Sequence, residues 1–324
     1  VGTAGDGIDV VFGDNVKDIP RFEGVSSIKS VIISNSVTSI CEGAFRNCTG
    51  LTSVTIPDSV TSIDGYAFYG CIGLTSITIP DSVTSIGSDA FYGCTGLTSV
   101  TIGNSVTSIG GHAFFGCTGL TKISWNAESV SDFVNSRGYS YNVFSNAGTA
   151  GDGIDVVFGN SVKTIPAYLF YKSYSDYKTP NIKSVIIGDN VTSIGSWAFN
   201  GCTGLTSVTI GNSVTSIGED AFYNCTGLTS VTIPDSVTGI DDSAFYGCTG
   251  LTSVTIGNSV TSIGEDAFYN CTGLISVTIP DSVASIDDSA FYGCTGLTSV
   301  TIGNRVTSID WRAFDDCISL TKIN

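Results

Sequence analysis

A single histidine is the scarcity that most narrows this chain's chemistry. One imidazole removes every multi-histidine metal site and most imidazole acid–base catalysis. Basic side chains are few as well: 13 Lys and Arg stand against 29 Asp and Glu, for a formal charge of −16. A surface that tracks phosphates needs clustered Lys and Arg, so nucleic acid is excluded as a partner class. No apolar run approaches the ~18–20 residues of a membrane-spanning helix, and no membrane insertion is expected. Charged residues of both signs reach only 13%, about half the usual share. Apolar residues at 42% of 324 are enough for a large core and argue against disorder. In place of charge the chain has hydroxyls and glycine, the latter numbering 39.

Self-similarity then settles the architecture. Cys48, Cys71, Cys94 and Cys117 are each 23 residues apart, as are Cys202, Cys225, Cys248, Cys271, Cys294 and Cys317. Between them the unit reads C-x-x-L-x-x-V-x-I-x-x-x-V-x-x-I-x-x-x-A-F-x-x, and Cys48–Gly70 is a typical copy. Copies lacking the cysteine precede each run at Val25–Asn47 and Thr179–Gly201, and looser ones begin near Ala4 and Ala150. The array amounts to roughly fourteen coils.

Each part of the unit has a physical reading. Val54 and Ile56 alternate with Ser53 and Thr55, the period-two pattern of a half-buried strand. Pro57-Asp58-Ser59, or Gly103-Asn104-Ser105 in other coils, is turn chemistry. Val60-Thr61-Ser62-Ile63 is a second short extended piece, and Ala67-Phe68 lies in a stretch long enough for one turn of α- or 3₁₀-helix. A 23-residue unit cannot bury its own Leu, Val, Ile and Phe. Stacking coils at ~4.8 Å does so, lining up columns such as Phe68, Phe91 and Phe114, and Phe222, Phe245, Phe268, Phe291 and Phe314. The expectation is a parallel solenoid.

The L-x-x-V-x-I strand, the Pro-Asp-Ser turn and the A-F-x-x-C ending resemble the BspA-like class of leucine-rich repeats, over nearly the whole chain except its ends and residues 126–149. The resemblance implies a leucine-rich-repeat solenoid: right-handed, curved, built of parallel β-rich coils with short 3₁₀ or helical turns, the strands lying on the concave side. It also implies surface-exposed or secreted proteins of anaerobic bacteria and some protozoa, several of them adhesins.

A second level of repetition is present. Gly2–Phe12 recurs as Gly148–Phe158, and Ile-Lys-Ser-Val-Ile-Ile recurs at 28–33 and 182–187. Residues 1–146 therefore read as a first super-repeat, with an irregular connector at about 126–149, and residues 147–324 as a second, in one continuous solenoid. Residues 211–256 and 257–302 are near-identical 46-residue blocks that alternate Gly-Asn-Ser with Pro-Asp-Ser turns and differ at sites such as Thr229/Ile275 and Thr238/Ala284.

Ten of the 11 cysteines share one coil position and should form a single inward column of free thiols. Neighbouring Cβ atoms at the ~4.8 Å strand spacing lie outside the usual ~3.5–4.5 Å of a disulfide. Cys41 stands apart, where Gly87 and Gly110 stand in other coils, and is the candidate for a reactive thiol. His112 takes the slot of Asp89 and reads as solvated surface rather than the partner of Cys117. Acidic pairs recur at one position: Glu219-Asp220, Asp241-Asp242, Glu265-Asp266 and Asp287-Asp288. They suit a solvating band or, less directly, Ca²⁺ held between coils. No cofactor, metal site or catalytic residue is expected.

The most regular exposed feature is a hydroxyl lattice on the strands: Ser53 and Thr55, Ser76 and Thr78, Ser99 and Thr101, then Ser207 and Thr209, Ser230 and Thr232, Ser253 and Thr255, Ser276 and Thr278, Ser299 and Thr301. Thr61 and Ser62 begin a parallel ladder. Thr suits any pleated surface, so the lattice reads either as plain sheet chemistry or as recognition of a glycan or extended peptide, modest per coil and avid over many. Flat Thr ladders of ice-binding solenoids are a further alternative, which the Ser/Thr alternation and the expected curvature disfavour. A second candidate surface is aromatic and basic: Arg137, Tyr139 and Tyr141 in the connector, and Tyr168, Tyr171, Tyr174 and Tyr177 in the insertion that follows. It has the composition of a contact surface, or packs around an irregular coil. Asn-x-Thr sequons at Asn47, Asn190, Asn224 and Asn270 matter only in a secretory eukaryote.

Two functions remain open at this level. One is a secreted or cell-surface, non-enzymatic adhesive scaffold whose partner is a host or matrix protein or a glycan. The other is a structural spacer or filament element without a ligand. Both chain ends match internal positions of the array: Leu320–Asn324 corresponds to Leu120–Ser124, and Val1-Gly2-Thr3 to Ala147-Gly148-Thr149. The expectation is a segment of a longer array, or an end covered by end-to-end self-association.

Overall fold

In a computed structural model, residues 7–134, 141–171 and 179–324 are described. The chain divides into two compact units, Val1–Ser161 with Ser173–Asn181, and Val162–Lys172 with Ile182–Asn324. Each unit is a stack of coils in which a longer strand opens the coil and a two-residue strand follows it. The opening strands of the first unit are Ile8–Val11, Ile28–Ile32, Ser53–Thr55, Ser76–Thr78, Ser99–Ile102, Lys122–Trp125 and Ile154–Phe158. Those of the second run from Ile182–Ile187 and Ser207–Thr209 through Ser299–Thr301 to Lys322–Ile323. Pairing is parallel and one coil out of step, Ser76 against Ser99 in the first unit and Ser230 against Ser253 in the second. The short strands pair in the same way, Ser62 with Ser85 and Ser262 with Ser285. Each unit is the parallel β-solenoid expected from the repeat.

The core is made of like residues stacked on like. Leu97, Val100, Ile102, Val106, Ile109, Ala113, Phe114 and Cys117 line one coil at no more than 1% exposure. Phenylalanine rings stack along each unit, with centroids 5.4 Å apart for Phe45–Phe68, 5.0 Å for Phe91–Phe114 and 5.1 Å for Phe199–Phe222. Burying such a side chain is worth about 1.5–3 kcal/mol over leaving it exposed. A lone coil has no neighbour to provide that burial, so only the stack folds.

The Ala-Phe stretch differs in one detail from a helical turn. Alternate N–H groups stay local: Ala67 to the carbonyl of Asp64, Tyr69 to Tyr66 and Cys71 to Phe68, all i→i−3 bonds of the 3₁₀ kind. The N–H groups between them cross to the next coil, Tyr66 to Ser88, Phe68 to Ala90 and Gly70 to Tyr92. Backbone that donates in alternate directions cannot close a helix, and no helix occurs among the described residues. The crossing requires left-handed backbone at Tyr66 (φ 58°) and Gly70 (φ 67°) in each coil. Asn47, Asn224 and Asn270, three of the sequon residues, fill the Gly70-type position at φ of 57°, 54° and 53°, as the short polar side chain of Asn allows.

Coil contact also explains the turn alternation. A Cβ on Gly257 would lie 2.4 Å from the carbonyl oxygen of Pro234 in the coil before it. The next residue, Asn258, donates its N–H to Asp235 Oδ1 at 2.7 Å. The same pairing joins Asn304 to Asp281 and Asn104 to Asp81. A Pro-Asp-Ser coil thus caps the Gly-Asn-Ser coil after it, and the bond from Asn258 to Asp235 joins one 46-residue block to the next.

The cysteines form the expected column. Each thiol in it sits one coil above a phenylalanine carbonyl and donates to it, Cys71 to Phe45 at 3.0 Å and Cys271 to Phe245 at 3.2 Å. All eleven cysteines are free. Burial pushes the Cys117 and Cys248 thiols up to about 12, so they stay protonated and pack as small apolar groups. The described part of the connector is itself an irregular coil of the first unit. Trp125 fills an Ile slot at 0% exposure, and Phe144 continues the phenylalanine column 5.1 Å from Phe114.

Candidate ligand-binding surfaces

The hydroxyls of a coil fall into two kinds, which sequence alone does not separate. One kind is engaged between coils. Thr98 Oγ1 donates to the Thr75 carbonyl at 2.9 Å and Thr252 to Thr229 at 3.0 Å. A second engaged row runs from Thr61 to Thr38 and from Thr261 to Thr238, at 3.1 and 2.9 Å. A third joins Ser82 to the Val60 carbonyl at 2.7 Å. Thr61 and Ser62 therefore stitch coils together, Ser62 through Ser39 Oγ at 2.9 Å.

The other kind is the strand lattice. Ser53, Thr55, Ser76, Thr78, Ser207, Thr209, Ser230, Thr232, Ser253, Thr255, Ser276, Thr278 and Thr301 are exposed, and Ser99, Thr101 and Ser299 half-exposed. Among the described residues none of these hydroxyls donates within the chain, and only Thr301 accepts, from Asn324 Nδ2 at 3.5 Å. Strand pairing holds them in register, Thr232 opposite Thr255 and Thr278 opposite Thr301 in the second unit, Thr78 opposite Thr101 in the first. Each is free to exchange water for a partner's polar group at little cost.

The aromatic and basic candidates separate as well. Arg137, Tyr139, Tyr174 and Tyr177 lie outside the described residues. Tyr171 is 7% exposed and packs edge-on against Trp197 at 5.6 Å, so it is part of the packing of its coil. Tyr168 is half-buried and stacks on Trp197 at 6.0 Å. Tyr141 is half-buried, with its hydroxyl donating to the Ile109 carbonyl at 3.3 Å and its ring edge-on to Phe133 at 5.7 Å. In regular coils that carbonyl accepts an N–H from the next coil, as Ile86 does from Gly110. Among the described residues no backbone N–H meets the Ile109 carbonyl, and Tyr141 supplies the hydrogen.

A surface column of rings was not anticipated. The residue after each Ala-Phe pair stacks along the coils: Tyr69, Tyr92 and Phe115 in the first unit at 4.8 and 4.9 Å, and Tyr223, Tyr246, Tyr269 and Tyr292 in the second at 4.6 to 4.7 Å. Its signal, an aromatic every 23 residues, is present in the sequence. In the second unit the acidic pairs run beside it. Burial, with Glu219 and Asp242 nearby, pushes the Asp220 carboxyl up to about 6, and burial with like charge also raises Asp241 and Asp266. Among the described residues no group of three or more His, Cys, Asp or Glu side chains is arranged to hold a metal ion. His112 lies 4.0 Å from Asp89 and edge-on to Phe115, at the surface. Cys41 is half-exposed, the one thiol outside the buried column.

Comparison with known proteins agrees with the coil. The model of the BspA type leucine rich repeat region matches in six copies over residues 19–146, 172–279 and 215–324. A leucine-rich repeat protein of Bacteroides ovatus is 30% identical, with a TM-score of 0.63, over 98% of this chain and 86% of that one. A leucine rich cell surface protein of Faecalibacterium prausnitzii is 28% identical over 82% and 83% of the two chains, with a TM-score of 0.40. Among curated proteins nothing matches.

Proposed function

The chain belongs to the BspA-type leucine-rich-repeat family, and on that premise we propose that it is a non-enzymatic binding scaffold, secreted or held at the cell surface. Its partner is an extended polymer, a host or matrix protein or a glycan, lying across successive strands. The observation that carries this reading is the division of hydroxyls. Thr98-type and Thr61-type groups are engaged between coils. Among the described residues the strand hydroxyls from Ser53 to Thr101 in one unit and from Ser207 to Ser299 in the other are presented in register within their unit and make no hydrogen bond within the chain. A rung of this kind contributes little alone, and many rungs contribute avidity. The family resemblance supports the location, as does an acidic surface that resists self-association. The near-identity of residues 211–256 and 257–302 favours a second reading, a spacer without a ligand.

The test is binding of the full chain to an array of matrix proteins and glycans, repeated with Thr232→Lys, Thr255→Lys and Thr278→Lys combined. A captured partner should weaken at least tenfold, since three adjacent rungs are blocked. Undiminished binding removes the strand lattice as the site, and an array without any partner favours the spacer.

A further inference from the structure

We propose that a groove of about 690 Å³ along the short strands of the first unit is a separate binding site for a neutral saccharide chain. It lies on the Ser62–Ile63, Ser85–Ile86 and Ser108–Ile109 strands, not on the strand lattice.

The backbone of the groove presents hydrogen-bond donors. Among the described residues the N–H groups of Gly65 and Ser88 have no acceptor within the chain. One coil of the second unit shows an acceptor that such an N–H can take. At the equivalent coil position Glu265 donates its N–H to Asp242 Oδ1, one coil earlier, at 3.0 Å. In the first unit the residue one coil before Ser88 is Gly65, which has no side chain to do the same. The position is left to an oxygen from outside.

Acceptors and ring faces surround these donors. The Ser85, Ser88 and Ser108 hydroxyls make no hydrogen bond within the chain among the described residues, and the Glu42 and Asp64 carboxylates stand at one end. Tyr66, 38% exposed, contributes a ring at that end, with the Arg46 guanidinium 5.7 Å from its centroid and paired to Glu23 at 3.4 Å. Tyr141 forms the other wall, fixed by its bond to the Ile109 carbonyl and by Phe133.

This donor set selects a ligand class. Among the described residues no Lys, Arg or His lines the groove and two carboxylates do, which disfavours phosphate, sulfate and carboxylate groups. Its lining mixes polar and apolar groups in an open groove that does not enclose a lipid chain. Sugar hydroxyls donate to carboxylates and accept from N–H groups at once, and the C–H face of a pyranose ring packs on tyrosine. The Gly65 and Ser88 donors and the Ser85, Ser88 and Ser108 hydroxyls, one coil apart, suit a linear chain of such rings.

The test is amide chemical-shift mapping of the full chain with cellohexaose, xylohexaose, mannohexaose and chitohexaose, beside sulfated oligosaccharide and oligolysine. The expected result is that a neutral hexasaccharide shifts the Gly65 and Ser88 amides. Ser88→Trp, at an exposed site, should then weaken binding at least tenfold, while Asp58→Asn, in an exposed turn outside both surfaces, leaves it unchanged. Mapping on the unaltered protein keeps the test decisive if the Trp variant fails to fold. Absence of shifts with all four neutral chains overturns the proposal. So do shifts confined to strand-lattice amides, tighter binding of the sulfated chain, or oligolysine occupying the groove instead. A failure here leaves the strand-lattice reading standing, because that one is read at Thr232, Thr255 and Thr278.

Discussion

The coils at residues 48–117 and those at 211–302 share a core and differ at an edge. Phenylalanine stacking is 5.2 Å for Phe68–Phe91 and 5.2 Å for Phe222–Phe245, and the cysteine thiols donate to the same carbonyl in both. Just beyond the short strand the chemistry diverges. The first set has Asp64-Gly65, Gly87-Ser88 and Gly110-Gly111, whereas the second has Gly218-Glu219, Asp241-Asp242, Gly264-Glu265 and Asp287-Asp288. Residues 211–302 carry ten carboxylates and not one Lys, Arg or His. The same backbone thus carries mainly Gly and Ser at this edge in the first set and a carboxylate band in the second. Core columns dictate the coil, and the edge is free to vary because no column runs through it.

The largest expected effect concerns the shared half of that comparison. Phe91→Ala and Phe245→Ala each remove a fully buried ring from a stack and should cost about 3–5 kcal/mol. Denaturant midpoints of the two variants should agree closely. A clear difference would mean that the cores are not energetically alike.

A smaller effect separates the edges. The folded-state carboxyl of Asp220 sits at about 6, above its unfolded value. The folded state therefore holds the extra proton. Stability is greatest below the unfolded value and falls as pH rises through about 6. The protein should melt higher at pH 5 than at pH 7.5, against the usual trend for a carboxylate. Asp220→Asn should raise the melting temperature at pH 7.5 by about 2–4 °C and leave it unchanged near pH 4. A melting curve that shifts equally at both pH values would place the effect in packing instead.

The smallest effect divides two threonines of one coil. Thr98→Val loses a bond between coils and should cost about 0.5–1.5 kcal/mol. Thr101→Val loses an unengaged hydroxyl on a strand and should fall within about 0.5 kcal/mol of the parent. Chemical denaturation resolves the pair. Equal costs would dissolve the distinction between engaged and presented hydroxyls on which the binding surface rests. Ile275 and Ala284, which replace Thr229 and Thr238 in the duplicated block, agree with a modest value for each engaged rung.

The coil was legible because its period is strict. Val54 and Ile56 point inward for the same reason in every copy, and stacking is the way a 23-residue unit buries Leu51, Phe68 and Cys71. The turn alternation was visible in sequence, but its cause was not. Gly257 is required by the Pro234 carbonyl and Asn258 is held by Asp235, and both partners lie a full coil away. Thr98 and Thr101 are the same side chain three residues apart, and only the position of the Thr75 carbonyl makes one a structural tie and the other a surface group. Tyr141 reads in sequence as a contact residue, yet its hydroxyl donates to the Ile109 carbonyl, whose counterpart in a regular coil takes a peptide N–H.

Sequence by itself determined the period, the parallel stack, the buried columns and the acidic, histidine-poor surface, because each follows from which residues recur and which are scarce. Tertiary structure decided which hydroxyls and N–H groups are engaged and which face solvent. A hydrogen bond depends on a donor and an acceptor meeting within about 3 Å, and in a solenoid the acceptor belongs to the neighbouring coil.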